Sequence, residues 1–349
     1  MNNLKKIGLT ALAGSLVAVS AVQAGEMSVS GSLGATYKTK SSGTEGKSIG
    51  NDKDVAFSGS GELDNGWTFS GSTLLTDGYI VSSSLLSITM GSMGTISTGV
   101  DTGGASYKYD EEVPQAYEQV SDAQQTSANI VGNQMDSNML VYNSPSFDLE
   151  GGTISFDAEF SPDAEGAGAN DGGQAAHTGT FGRGLGLGVT ASYDAVKVGV
   201  YAQERKRLTT TALAKQDDFQ GVAYVKYSMG PVSVGYSQSY HDAGLTGAAT
   251  ALTSAATVGT AVGIFEGEQM SIAFNVNDNF SLSYTKATDT YNPRDNVVAD
   301  ADQETTALQA AYSMGAMSIK AYQMETDNPG YDTDAKDADV TEIAVGLAF

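Results

Sequence analysis

The sequence predicts an all-β protein: a transmembrane antiparallel barrel of sixteen strands, with short turns at one end and long loops at the other. Three observations carry that class. From Glu26 onward apolar and polar residues alternate with period two, so each extended segment has one greasy face and one small or polar face. The breaks alternate, with few exceptions, between tight turns and longer polar loops, the rhythm of an up-and-down meander. The final stretch, Val340 to Phe349, sets Ile343, Val345, Leu347 and Phe349 on one face and Glu342, Ala344, Gly346 and Ala348 on the other. The last strand of a barrel closes against its first and places an aromatic at the lipid boundary, which suits an ending on Phe349.

The other end of the chain agrees with export. Lys5 and Lys6 precede an apolar run from Ile7 to Val22, and Val22-Gln23-Ala24 offers a small-residue cleavage site. Residues 1–24 therefore read as a signal peptide and 25–349 as one barrel domain. An uncleaved anchor fits less well, because the run is short for a span. Of the 18 bases in the chain two lie in that signal, leaving 16 against 41 acids. So acidic a chain lacks the basic footprint that nucleic acid requires. It has no cysteine, and a closed barrel, paired on every edge, needs no disulfide. No stretch after residue 24 reaches the 18 apolar residues of a helical span.

Taken in order, Met27, Val29, Leu33 and Tyr37 mark the first strand, and a second runs near Asp52–Leu63. Asp64-Asn65-Gly66 turns the chain, since Asn-Gly readily supplies positive φ. Trp67 opens the third strand, which ends near Thr76; the fourth ends near Met90, and the fifth is Thr95–Asp101. Thr102 to about Asp136 is a long irregular segment rich in acids. Ser137–Asn143 and Gly151–Phe160 follow, joined through Pro145, then Leu185–Tyr193 and Val196–Arg205 around Asp194-Ala195. Asp218–Tyr227, Pro231–His241, Gly267–Val276, Phe280–Thr288, Thr305–Tyr312 and Ala316–Glu325 lead to the closing strand. From the first strand the connections run long, short, long, with only the second long slot, Asp77-Gly78-Tyr79, shrunken; both termini then lie at the periplasmic end. The Thr/Ala-rich run Ala248–Phe265 reads as a helix or hairpin within a loop, or as an extra strand pair that makes eighteen.

Alternation also sorts charge. In strands eight to sixteen the apolar set, with Leu187, Val189, Val198, Val200, Ile272 and Leu308, is nearly free of it, while the opposite set is Ser, Gly, Thr, Gln, Lys and Glu. A charge facing lipid at mid-membrane costs roughly 2–4 kcal/mol. Tyr227, Tyr236, Tyr284, Tyr312 and Phe349 fall near strand ends, as girdle residues do. A soluble sandwich also alternates, but it has no need of a polar second face through sixteen strands.

In its signal ending, its Met27–Tyr37 first strand, the long loop after strand five and the closing strand to Phe349, the chain resembles the general porins of Gram-negative outer membranes. The resemblance spans the whole chain after the signal and is architectural. It implies an outer-membrane barrel, usually a homotrimer in lipid, whose third long loop folds into the lumen (102–136 here) and narrows a channel for small hydrophilic solutes. Val345, Leu347 and Phe349 resemble the signal read by the barrel-assembly machinery. Two departures stand out. The Pro-Glu-Phe-Gly motif of enterobacterial relatives is absent, with Glu111-Glu112-Val113-Pro114 in the loop instead, and strands two to four lack the facing arginine cluster. The short second loop leaves little to latch a neighbour, so the small outward face of Gly31, Ala35, Gly59, Gly61 and Gly71 is the candidate subunit contact.

Catalytic material is poor. His177 and His241 lie in or beside loops without metal-ligand spacing, and there is neither a Cys nucleophile nor a Gly-x-Ser-x-Gly elbow. Gly184–Gly188 alternates glycine within a strand and lacks the dinucleotide fingerprint. The chain is expected to be no enzyme and to hold no cofactor. Calcium at the loop acids Asp327, Asp332, Asp334, Asp337 and Asp339 is the weaker alternative, since their spacing matches no EF-hand. The candidate site is the loop acids Asp110, Glu111, Glu112, Glu118 and Asp122, with Lys38, Lys197, Lys226 and Lys320 as opposing lumen bases by face parity. Carboxylates in excess at a constriction favour cations mildly. Two other functions fit less well: a substrate-specific porin, which calls for an aromatic slide, and an exported calcium-binding structural or adhesive β-protein.

Overall fold

The computed structural model describes residues 26–41, 46–122, 135, 137–164, 180–208, 216–249, 251–252, 261–294 and 297–349. The segment read as a signal peptide, residues 1–24, and the 123–134 part of the long loop therefore lie outside the described residues. Strands β1 (Glu26–Lys40), β2 (Gly46–Glu62), β3 (Thr68–Thr76), β4 (Ile80–Thr89) and β5 (Thr95–Val100) precede that loop. After it come β6 (Met139–Asn143), β7 (Phe147–Leu149), β8 (Gly152–Ser161), β9 (Phe181–Tyr193), β10 (Val196–Arg207) and β11 (Asp218–Met229). The wall is completed by β12 (Val232–Asp242), β13 (Gly263–Asn277), β14 (Phe280–Pro293), β15 (Ala301–Met314), β16 (Met317–Asp327) and β17 (Ala338–Ala348).

Neighbours in sequence pair antiparallel around one sheet, and β17 returns to β1 with Ser32 opposite Ala348 and Lys40 opposite Val340. The sheet is closed. β6 and β7 lie end to end along the same edge of β8, so the seventeen strands make sixteen staves. The break falls at Ser144-Pro145-Ser146, where proline has no N–H to give the ladder. Ser144 bridges the gap: its Oγ accepts from the Phe156 N–H at 2.8 Å.

Alternation is realised as a wet inside and an oily outside. On β10, Val196, Val198 and Val200 are exposed outward, while Tyr201, Gln203 and Arg205 are buried inward. Leu185, Leu187 and Val189 of β9, Met270, Ile272 and Phe274 of β13, and Ile343, Val345 and Leu347 of β17 repeat the pattern. Facing water these side chains would be an apolar surface far beyond what a soluble monomer tolerates; facing lipid they are solvated. Exposed Tyr193, Tyr227, Tyr312 and Phe349 sit at the short-turn ends of their strands.

The structure differs from the sequence-based expectation at two places. The first connection is short, not long: β1 runs to Lys40 and β2 begins at Gly46, leaving five residues between them. The eighteen-strand alternative fails, because β12 pairs directly with β13. Gly263–Phe265 simply extends β13, and residues 253–260 of the puzzling run lie outside the described residues.

Candidate functional site

The segment after β5 turns inward and lies along the inner wall, strand after strand. Its first contact is on β8: the Ala105 N–H donates to Glu159 Oε2 at 2.5 Å, and Asp157 accepts from Lys108 at 2.5 Å and from the Tyr109 hydroxyl at 2.7 Å. Next, Glu112 pairs with Lys226 of β11 and lies 3.8 Å from Lys197 of β10. Glu111 accepts from Gln269 of β13 at 2.6 Å, and the Pro114 carbonyl accepts from Ser271. Ser283 Oγ of β14 accepts from the Ala116 N–H at 2.8 Å. Gln309 of β15 accepts from the Tyr117 N–H at 2.8 Å and donates to the Glu118 carbonyl at 2.6 Å. Last, the Tyr117 hydroxyl reaches Glu342 of β17 at 2.7 Å. Between Ala105 and Tyr117 the loop thus crosses the lumen wall from β8 to β17.

Small residues make the seat. A Cβ at Gly188 would collide with the Tyr109 ring, one at Gly235 with Pro114, and one at Gly186 with Tyr201 and Glu159. The Gly184–Gly188 alternation is therefore the clearance on which the loop lies, with Leu185 and Leu187 outward in between. Tyr109 stacks on Tyr201 at 5.1 Å, and both rings are buried. Burial, reinforced by the bond to Glu342, pushes the Tyr117 phenol far above its ordinary range, so the hydroxyl stays a donor.

Of the sequence-predicted acids, Glu111 and Glu118 are buried against the wall, Glu112 lies between two lysines, and Asp110 is half-buried. The side chain of Asp122 lies outside the described residues. The bases do not face these acids across open water. Lys197 and Lys226 share Glu112; Lys38 pairs with Glu342 at 3.0 Å; Lys320 is buried with its Nζ 5.1 Å from the centre of the Tyr117 ring. Each of the four is thus engaged by protein.

The opposite wall is different. Inward positions of β1 to β5 are solvent-accessible and largely hydroxylic, with Ser30, Ser32, Ser58, Ser70, Ser72 and Ser87 among them. On β2 to β5 the inward charged positions among the described residues are the acids Asp52, Asp54 and Glu62. Water-filled space therefore lies between a loop-covered half and a small-residue half. Sequence reasoning missed Asp157, Glu159 and Glu342 as anchors. Each is a carboxylate on the polar face of a strand, and that was the available signal.

A family model described as Gram-negative porin matches residues 8–349. No curated protein sequence matches the chain. Among solved structures, Salmonella typhi OmpF in complex with daunomycin is similar with a TM-score of 0.69 at 11% identity, covering 93% of this chain and 98% of that one. A porin refined at 1.8 Å gives 0.63 at 13% identity, over 93% and 100%. The trimer form of OmpT, an outer membrane protein of Vibrio cholerae, gives 0.62 at 14%, over 94% and 100%. At these identities the likeness is one of fold alone.

Proposed function

The chain belongs to the Gram-negative porin family and is an outer-membrane channel rather than an enzyme; we propose that it passes small hydrophilic solutes by passive diffusion, with a mild preference for cations and no bound cofactor. The observation that carries the preference is the charge of the open half. Asp52, Asp54 and Glu62 face the lumen from β2, while Lys38, Lys197 and Lys226 are paired with carboxylates and Lys320 is buried. An excess of fixed carboxylates along the open wall concentrates cations. General diffusion is favoured over a dedicated substrate because the inward aromatics Tyr109, Tyr117, Tyr201 and Tyr322 are buried between loop and wall, and among the described residues none of these rings lines the open side. Reversal potentials across a salt gradient test this: the sign for cation preference is expected, and anion preference overturns it.

Assembly as a homotrimer in outer-membrane lipid is part of the same proposal, with Val345, Leu347 and Phe349 as the stretch read by the barrel-assembly machinery. A trimer form is known for one structure of similar fold. Of the small outward residues, Gly31 has a different explanation. The Phe349 ring lies where a Gly31 side chain would stand, and the two residues exchange backbone hydrogen bonds of 2.8 and 2.9 Å. Ala35, Gly59, Gly61 and Gly71 remain as the subunit contact. Inter-subunit cross-links confined to strands far from them would count against it.

A further inference from the structure

We propose that Glu342 is a positioning residue that pins the inward loop at Tyr117 to the seam where the barrel closes, and thereby fixes the bore. The proposal rests on the channel function above. Glu342 sits on the last strand directly opposite Lys38 of the first. Its Oε2 lies 3.0 Å from the Lys38 ammonium and accepts from the Tyr322 hydroxyl at 3.3 Å. Its Oε1 accepts from the Tyr117 hydroxyl at 2.7 Å. One buried carboxylate therefore joins the first strand, the last two strands and the loop.

The surroundings make the bond hard to replace. Tyr117 and Tyr322 are buried and their rings lie 5.6 Å apart. Lys320 presents its Nζ to the Tyr117 ring and has no hydrogen-bond partner among the described residues. If the ring left, that ammonium would lose its cation–π contact at a buried site and keep only the field of the Glu118 carboxylate. Among the described residues of the loop, the hydrogen bond at Glu342 is the one that reaches the last strand, so it sets how far the Ala116–Glu118 stretch extends along the wall from β8.

The test is single-channel recording on Tyr117→Phe, which keeps the ring and deletes only the hydroxyl, and on Glu342→Gln. Loss of a hydrogen bond to a charged group lowers the ratio of pinned to released loop by about tenfold or more. Both variants are expected to add a second, larger conductance level to the wild-type level. The double variant should show no more of it than Tyr117→Phe alone, since with the hydroxyl gone the side chain at 342 no longer bonds the loop, whereas Gln at 342 still accepts from it more weakly. In Tyr117→Phe, a disulfide from Ala116→Cys and Ser283→Cys should abolish the larger level, and reductant should return it. The chain has no other cysteine, and the 2.8 Å approach of Ala116 N to Ser283 Oγ brings the two backbones within disulfide reach. Should Glu342→Gln fail to assemble, Tyr117→Phe decides, because it alters no wall residue. A wild-type channel with variants indistinguishable from it overturns the pin and leaves the channel standing. A wild-type protein without conductance overturns the channel and the pin together.

Discussion

Val200 is the most informative place to put a charge. It is the fifth residue of the twelve in β10, 58% exposed, with Val189 and Ala223 beside it on the neighbouring strands. If its surroundings are hydrocarbon at mid-depth, Val200→Arg costs roughly 2–4 kcal/mol, about a 30- to 1000-fold loss in the folded-to-unfolded ratio. Val196 is on the same face of the same strand, next to the Asp194-Ala195 turn. There the long arginine side chain reaches the interface, and the same change costs about 0–1 kcal/mol. The assay is urea-dependent folding into phospholipid vesicles, read by the shift in gel mobility of folded against heated protein. A graded cost, large at Val200 and small at Val196, is expected. Equal costs at the two sites, or none at either, would refute an oily belt around this wall.

Glu112→Gln removes the carboxylate shared by Lys197 and Lys226, so the reversal potential should move toward anions by a readily measured shift. Gly235→Val drives a side chain into Pro114; the loop lifts from the wall, and ion conductance and sugar uptake into swelling liposomes should change while the barrel still folds. Gly31→Val displaces the Phe349 ring from its place over the first strand, and the yield of folded barrel in outer membranes should fall severalfold, with Gly221→Ala as a mild control because its Cβ meets nothing closer than 3.6 Å.

The wall was legible because lipid and water impose opposite demands on alternate residues, and Val198, Val200, Leu308 and Ile343 answer to one demand only. Where both faces are wet, the signal disappears. Lys47 and Asn51 point outward on β2 with only Ile49 between them, and Ser48 and Gly50 point inward; with one apolar residue in the run, the stretch before Asp52 looked like loop and is strand. Glu266 and Glu268 on β13 and Lys286 on β14 blur the outer halves of those strands in the same way. Face parity placed Lys38, Lys197, Lys226 and Lys320 inward but said nothing of their partners. The bond from Tyr117 to Glu342 joins residues 225 apart in sequence, and no local pattern encodes such a distance. Gly184 to Gly188 was visible as a motif; its meaning required the Tyr109 ring lying above it.

The most direct test of the whole account is current through a planar lipid bilayer to which the purified, folded protein is added. Discrete ohmic steps whose size grows in proportion to salt concentration are expected of a water-filled barrel. A bilayer that stays silent with correctly folded protein in it would contradict the account.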